Sequence, residues 1–303
     1  MEEIVREFGT RENESDPSRT AELIAMRRAT ESLRPEGERI CYDPYAVRFI
    51  NPTFLRAIHE NPEAARAKAA ELERTFPGLA GSILARVRYF DDFVANAAAT
   101  GIRQLVILGA GYDTRAYRIP GLEGNIRVFE VDHPLTQQPK KEKIREIFGS
   151  LPAHVAYVPA DLGRDNLTDG LAKAGYDRTE KTLYVLEGLV MYLPPAVVEG
   201  VLSFIAENSG TGSIILFDYY PLSLVDGMDQ REIARNIREF SGRAGEPVRF
   251  GVPDKKLAPF LEGRGFSKTR NICEAEYRAL YFHGMNAGRA TTDLIAFAIA
   301  EVP

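Results

Sequence analysis

Residues 104–118 read QLVILGAGYDTRAYR, and this stretch decides the fold. Gln104–Leu108 is an apolar run of strand length that closes on Gly109-Ala110-Gly111. A continuous apolar run suits a strand buried on both faces. Glycines directly after it permit a tight turn and let a ligand approach the backbone. The texture recurs at residues 126–132 (IRVFEVD), 154–158 (HVAYV), 182–187 (TLYVLE) and 213–218 (SIILFD). Helical stretches separate these runs. One of them, PPAVVEGVLSFIAENSG at 194–210, has proline at its start and glycine at its end. Such alternation predicts an α/β fold with a Rossmann-like, mostly parallel sheet covered by helices on both faces. KTRNIC (268–273) and TDLIAFAIA (292–300) bring the expected strands to seven.

Upstream of this core the chain reads as helix. Residues 1–16 are polar and charged and are expected to be a mobile leader. Asp16-Pro17 then has the form of an N-cap followed by proline at the first helical position, ahead of TAELIAMRRATES (20–32). Asp43-Pro44 repeats the signal before a short helix carrying Tyr45, Val47 and Phe49. Residues 61–75 have strong helix composition. In SILARVRYFDDFVANAAAT (82–100), Ile83, Val87, Phe90 and Val94 recur at helical steps and Gly101 ends the run. Residues 1–100 are therefore expected to form a helical cap within the same domain as a core at 101–303. A polar, helical insertion at 221–264 interrupts that core.

Composition narrows the class. The chain has 303 residues, 45% of them hydrophobic, which suffices for one large core. A net charge of −5 argues against a nucleic acid held through its phosphates. Two distant cysteines and four scattered histidines offer neither a disulfide framework nor a metal site. The N-terminus lacks the basic and apolar regions of a signal peptide, and no apolar run reaches the roughly 18 residues of a membrane span. A cytoplasmic protein without a membrane partner is expected. Oligomeric state is not readable.

The chemistry gathers at the strand ends. In open α/β sheets, ligands bind outside the carboxyl ends of the strands. The first run ends in Gly109-Ala110-Gly111 and the second in Asp132, 23 positions after Gly109. At that spacing a carboxylate can accept from both hydroxyls of a ribose lying over the glycine turn. The third ends in Asp161-Leu162, where the acid can take an exocyclic amine and the leucine can cover a purine. The fourth ends in Glu187-Gly188. Each piece alone has a plain structural reading as turn or helix cap. Their order and spacing together predict a nucleoside pocket. A dinucleotide pattern would place a third glycine where Thr114 stands, and Asp113 beside the turn would repel a pyrophosphate. The ammonium and sulfonium of S-adenosylmethionine suit such acids instead, with Asp113 or Glu187 toward the ammonium. Arg27, Arg28 and Arg86 are candidates for its carboxylate.

The stretches LARVRYFDDFV, LVILGAGYDTRAYR, FEVDHP, PADL and LYVLEGLVMYLPP resemble the leucine carboxyl methyltransferase-like family of class I S-adenosylmethionine methyltransferases. The likeness runs from about Thr20 to about Phe266 and includes a bacterial and archaeal branch with largely unassigned substrates. It implies that Arg86 binds the cofactor's carboxylate and that Gly109 is the first motif glycine. It further implies that Asp132 holds the ribose, Asp161 and Leu162 the adenine, and Glu187 the ammonium. A family lysine falls near Arg27 or Arg28, and its replacement weighs against the phosphatase-tail substrate of eukaryotic members.

Other residues carry weaker signals. Asp91-Asp92, one turn past Arg86, are as readily a solvated turn as a support for Arg86. Tyr192 is the candidate acceptor-site residue, against a plain packing role. His133 as a general base and Arg249 as a carboxylate clamp are each less expected than a structural or surface role. Lys140, Lys141 and Lys143 read as a solvated helix face. No catalytic residue is named. The lack of an obvious base favours a carboxylate acceptor, already ionised at neutral pH, over a hydroxyl. The expected activity is therefore O-methyl transfer to a carboxylate or hydroxyl of a small molecule or peptide, with S-adenosylhomocysteine as product. The helical N-terminus and residues 221–264 are expected to form a lid over the acceptor. The alternatives are a nicotinamide-dependent (NAD) oxidoreductase and a catalytically silent S-adenosylmethionine-binding protein.

Overall fold

The computed structural model describes residues 19–303. The leader at 1–16 and the Asp16-Pro17 helix start lie outside the described residues. The strands are β1 Gln104–Leu108, β2 Arg127–Asp132, β3 Val155–Pro159, β4 Thr182–Leu186, β5 Ile214–Tyr219, β6 Ser267–Ile272 and β7 Ala296–Glu301. They form one seven-stranded sheet in the order β3-β2-β1-β4-β5-β7-β6. β1 to β5 pair in parallel, while β7 runs antiparallel to β5 and β6.

Helices α1 Arg19–Ser32, α2 Pro52–Glu60, α3 Pro62–Thr75 and α4 Leu79–Ala99 precede the sheet. Helices α5 Arg115–Arg118, α6 Pro134–Phe148, α7 Leu167–Lys173 and α8 Pro195–Glu207 connect its parallel strands. The insertion supplies α9 Leu222–Val225, α10 Glu232–Arg243 and α11 Leu257–Glu262, and α12 Glu274–Tyr281 precedes β7. Among the described residues, no helix is long and apolar enough to cross a membrane.

Side chains of β1 and β4 alternate between two cores. Leu105, Ile107, Leu183 and Val185 join Val87, Phe90 and Val94 of α4 on one face. Val106, Leu108, Tyr184 and Leu186 join Val198, Val201, Leu202 and Ile205 of α8 on the other. Burial on both faces is why these strands carry continuous apolar runs.

Two departures from the sequence reading are informative. Asn51 caps α2 through its side chain, which accepts from the Thr53 N–H, and Pro52 follows it. Asn61-Pro62 starts α3 in the same way. The sequence reading found the second helix and missed the shorter first. Lys140, read as solvated, is 1% exposed. Its ammonium lies 2.8 Å from Glu130 Oε2, off the line of an ideal hydrogen bond, and donates to the Ala110 carbonyl at 3.3 Å. Burial raises the Glu130 carboxyl pKa above its usual range despite this partner. Lys140→Met is expected to cost about 3–5 kcal/mol in chemical denaturation, because it strands a buried carboxylate. Pairing it with Glu130→Gln should recover most of that loss. A single variant as stable as the wild type would show that the ion pair does not matter.

Candidate active site

The chain lays down β1, β2 and β3 outward on one side, then returns to place β4 and β5 on the other. The order thus reverses between β1 and β4, and the crevice outside their carboxyl ends is where such sheets hold ligands. A cavity of about 820 Å³ opens there. Arg28, Arg86, Gly109, Ala110, Gly111, Asp113, Asp132, Asp161, Leu162, Glu187 and Tyr192 all line it. Every cofactor candidate and the acceptor candidate therefore meet in one space. His133 and Arg249 line it as well.

The floor is the turn after β1. Gly109 and Gly111 adopt φ of +65° and +41°, a region that a side chain disfavours. A methyl at Gly109 would also stand 2.7 Å from the Leu189 side chain. Asp132 at the end of β2 reaches this turn. Its Oδ2 accepts from the Gly111 N–H and its Oδ1 from the His133 N–H at 2.6 Å. Burial raises the Asp132 pKa above the ordinary aspartate range, outweighing those two bonds. His133 caps α6, its Nδ1 accepting from the Leu135 N–H at 3.3 Å. Asp161 Oδ1 accepts from the Gly163 N–H at 2.9 Å, and Arg164 lies 3.5 Å from Oδ2.

The wall is a relay of ion pairs. Arg86, 4% exposed on α4, donates from Nε to Glu187 Oε1 at 3.1 Å and from Nη1 to Asp218 Oδ2 at 2.6 Å. Its Nη2 makes no hydrogen bond among the described residues. Burial opposes the guanidinium charge, but Asp218 and Glu187 raise its pKa above the usual arginine value. Arg115 Nη1 bridges Asp113 Oδ2 at 2.6 Å and Glu187 Oε2 at 2.5 Å. Burial opposes the charge of Asp113, and Arg115 then holds its pKa down to about 2. Glu187 is likewise held below its usual range against burial by Arg115 and Arg86. Both acids thus carry arginine partners and stay ionised. Arg28 Nε donates to Asp43 Oδ2 at 2.8 Å and Nη2 donates to the Tyr112 carbonyl, tying α1 to the glycine turn. Arg28, and not Arg27, faces the cavity.

Asp91 and Asp92 do not orient Arg86. Asp91 takes Arg115 Nε at 2.7 Å and both terminal nitrogens of Arg118, while Asp92 takes Arg88 and the Tyr281 hydroxyl. The sequence reading missed Tyr112, Asp218, Tyr220 and Glu246. Asp218 and Tyr220 stand at the end of β5, so the strand-end argument used for the first four strands would have found them. Glu246 lies in the insertion, where composition carries no such signal.

A 3-2-1-4-5-7-6 sheet with a glycine turn and ribose-type acid at its switch point defines a class I S-adenosylmethionine-dependent methyltransferase architecture. Solved structures share that fold. A methyltransferase of Thermobifida fusca, provisionally so named, has a TM-score of 0.54 at 20% identity, covering 79% of this chain and 88% of its own. A DUF574 family protein of Streptomyces avermitilis has a TM-score of 0.57 at 16% identity, covering 92% and 97%. The leucine carboxyl methyltransferase family model matches residues 21–206. Relatives carry the provisional name of S-adenosyl-L-methionine-dependent methyltransferase. One from Mycolicibacterium smegmatis is 34% identical over 227 residues, 74% of this chain and 73% of its own. YktD of Bacillus subtilis is 29% identical over 236 residues, 78% and 76%. The chain belongs to the leucine carboxyl methyltransferase family and is an S-adenosylmethionine-dependent methyltransferase.

Proposed function

We propose that the protein is an O-methyltransferase acting on the carboxylate of a small acceptor. The carrying observation is a single cavity of about 820 Å³ that runs from Asp132 and Asp161 past Glu187 to Tyr192, Tyr220 and Arg249. Pockets of about 300–1,000 Å³ hold small ligands, and this one lies in the upper part of that range. A nucleoside at the Asp132 end would leave the Tyr220 end for the acceptor.

The residues suit the cofactor. Gly109 and Gly111 clear the turn, Asp132 takes the ribose hydroxyls, and Asp161 and Leu162 take the adenine. Arg86 offers its free Nη2 to the carboxylate of the amino-acid tail, and Glu187 and Asp113 face the ammonium. When bound, S-adenosylmethionine supplies an electrophilic methyl on a sulfonium, which leaves as a neutral thioether. A carboxylate acceptor would attack with an oxygen lone pair, so opposite charges would cancel and no proton would move. The protein's share is then alignment, which can supply about 7–11 kcal/mol. At the acceptor end, burial pushes the Tyr220 phenol up to about 12 and raises Tyr192 well above the ordinary phenol value. Both stay protonated at neutral pH and serve as hydrogen-bond donors, which suits an anion better than a hydroxyl needing a base.

Calorimetry with S-adenosylmethionine and with NAD tests the cofactor, and S-adenosylhomocysteine release across matched acids and alcohols tests the acceptor. We expect S-adenosylmethionine binding without NAD binding, and turnover with acids. NAD binding alone would overturn the cofactor reading, and turnover confined to alcohols would overturn the carboxylate.

A further inference from the structure

We propose that Arg249, with the Tyr192 and Tyr220 hydroxyls, forms a docking site for the acceptor's carboxylate and so sets acceptor specificity. The inference rests on the carboxyl-methylation reading and adds to it the residues that choose the substrate.

Arginines close to the cavity are mostly committed. Arg28, Arg86, Arg115 and Arg118 each bond a carboxylate within 3.1 Å, and Arg164 lies 3.5 Å from Asp161. Arg249 lines the same cavity, and its guanidinium makes no hydrogen bond or ion pair among the described residues. Its backbone is nonetheless fixed. The Arg249 and Phe250 N–H groups both donate to the Met191 carbonyl, at 2.7 and 3.2 Å. Two residues on, the Val252 N–H donates to the Tyr220 carbonyl at 3.0 Å. The segment 249–252 is therefore strapped across the residue before Tyr192 and across Tyr220 itself. That holds Arg249, Tyr192 and Tyr220 beside one another along the cavity lining.

The phenols are placed for a ligand. Tyr220 is 7% exposed and Tyr192 is partly buried against the core, and both line the cavity. Neither hydroxyl makes a hydrogen bond among the described residues, although other buried tyrosines here do. Tyr277 bonds Ser82 at 2.9 Å and the Thr292 carbonyl at 2.7 Å, and Tyr184 bonds Ser209 at 2.8 Å. Neither the Tyr192 nor the Tyr220 oxygen is among the fully buried unpaired atoms of the described residues, so both are open to the cavity, where a polar group of a ligand can reach them. Glu246 at the same end already accepts from Thr20 Oγ1. Glu246 places a negative charge beside Tyr192, and Arg249 brings the opposing cation; with two hydroxyls able to donate, that cation suits a carboxylate.

The arrangement also suits turnover. Arg249 is exposed, so solvent screens its pairing with the acceptor and leaves the oxygen nucleophilic. The ester product carries no charge and cannot keep the ion pair, which favours its release. Apolar walls at Ile24, Ile83 and Ile295 would take the body of the acceptor.

The test loads full-length protein with S-adenosylhomocysteine and titrates straight-chain acids from acetate to dodecanoate, and phenylacetate, against their primary amides. We expect at least one acid to bind ten-fold or more tightly than its amide. Arg249→Gln should erase that preference, Arg249→Lys should restore part of it, and Tyr220→Phe should weaken acid binding several-fold. S-adenosylhomocysteine affinity should stay unchanged in the Arg249 variants, which shows them folded. Acids binding no better than amides, or a preference surviving Arg249→Gln, would overturn the proposal. Failure of wild-type protein to bind S-adenosylhomocysteine would instead strike the cofactor reading, and this proposal would fall with it.

Discussion

Arg86→Ala is expected to lose measurable affinity for S-adenosylmethionine and about 3–5 kcal/mol of folding stability. The two losses have separate origins. Stability falls because Asp218 and Glu187, 2.6 and 3.1 Å from the guanidinium, lose its charge while remaining buried. Arg115 still bridges Glu187, but the side chain of Asp218 is 0% exposed and keeps only the Gly188 N–H at 2.6 Å. Affinity falls because the free Nη2 is the donor proposed for the cofactor's carboxylate. Urea denaturation reads the first loss and calorimetry the second. Adding Asp218→Asn to Arg86→Ala removes the stranded charge, so it should return part of the stability and none of the binding. Such a cycle isolates the pair, because the two residues are in contact. Arg86→Lys should be intermediate in both, since an ammonium cannot reproduce the guanidinium fork. If Arg86→Ala bound the cofactor as the wild type does, the proposed orientation of the amino-acid tail would be wrong.

Legibility in the sequence followed the physics of each element. β1 and β4 are buried along their whole length, so their apolar runs marked both the strands and their ends. Gly109, Asp132, Asp161 and Glu187 were readable because each sits at or just past such an end. Each carboxyl end of a parallel strand then marks a place on the rim of the crevice. Lys140 was misread because a mid-helix lysine in a charged run has the pattern of a solvated face. Only the opposing strand shows that Glu130 waits beneath it. Asp91 was misread for a related reason. Its partners, Arg115 and Arg118, arrive from the short helix α5, 24 and 27 residues away, and helical spacing from Arg86 carries no trace of them. The straps at Met191 and Tyr220 that hold Arg249 are backbone hydrogen bonds, which any residue type can make and no composition reveals.

Asp132→Asn is expected to weaken S-adenosylhomocysteine binding by about 100-fold or more while leaving stability within about 1 kcal/mol of the wild type. Hydrogen bonds to an ionised group contribute about 1.5–3 kcal/mol each, and two ribose hydroxyls would rely on this carboxylate. A 100-fold loss corresponds to about 2.8 kcal/mol, within reach of that pair. Stability should barely move because two terms oppose each other. The amide oxygen can still accept from the Gly111 N–H, but its NH2 group then faces the His133 N–H. Against that, it removes a charge that burial disfavours. Because the folded pKa of Asp132 is raised, the unfolded chain gives up this proton first. As pH rises from the unfolded to the folded pKa, the residue's ionisation lowers stability, and the penalty persists at neutral pH. The same shift sets the acid limb of binding. Affinity should begin to fall at a higher pH than an ordinary aspartate would dictate, because protonated Asp132 can no longer accept from both hydroxyls. In the asparagine variant that limb should vanish. Calorimetric titrations across the acid range read both effects. An unchanged affinity, or an acid limb that survives in the variant, would remove Asp132 from the ribose site and with it the placement of the nucleoside.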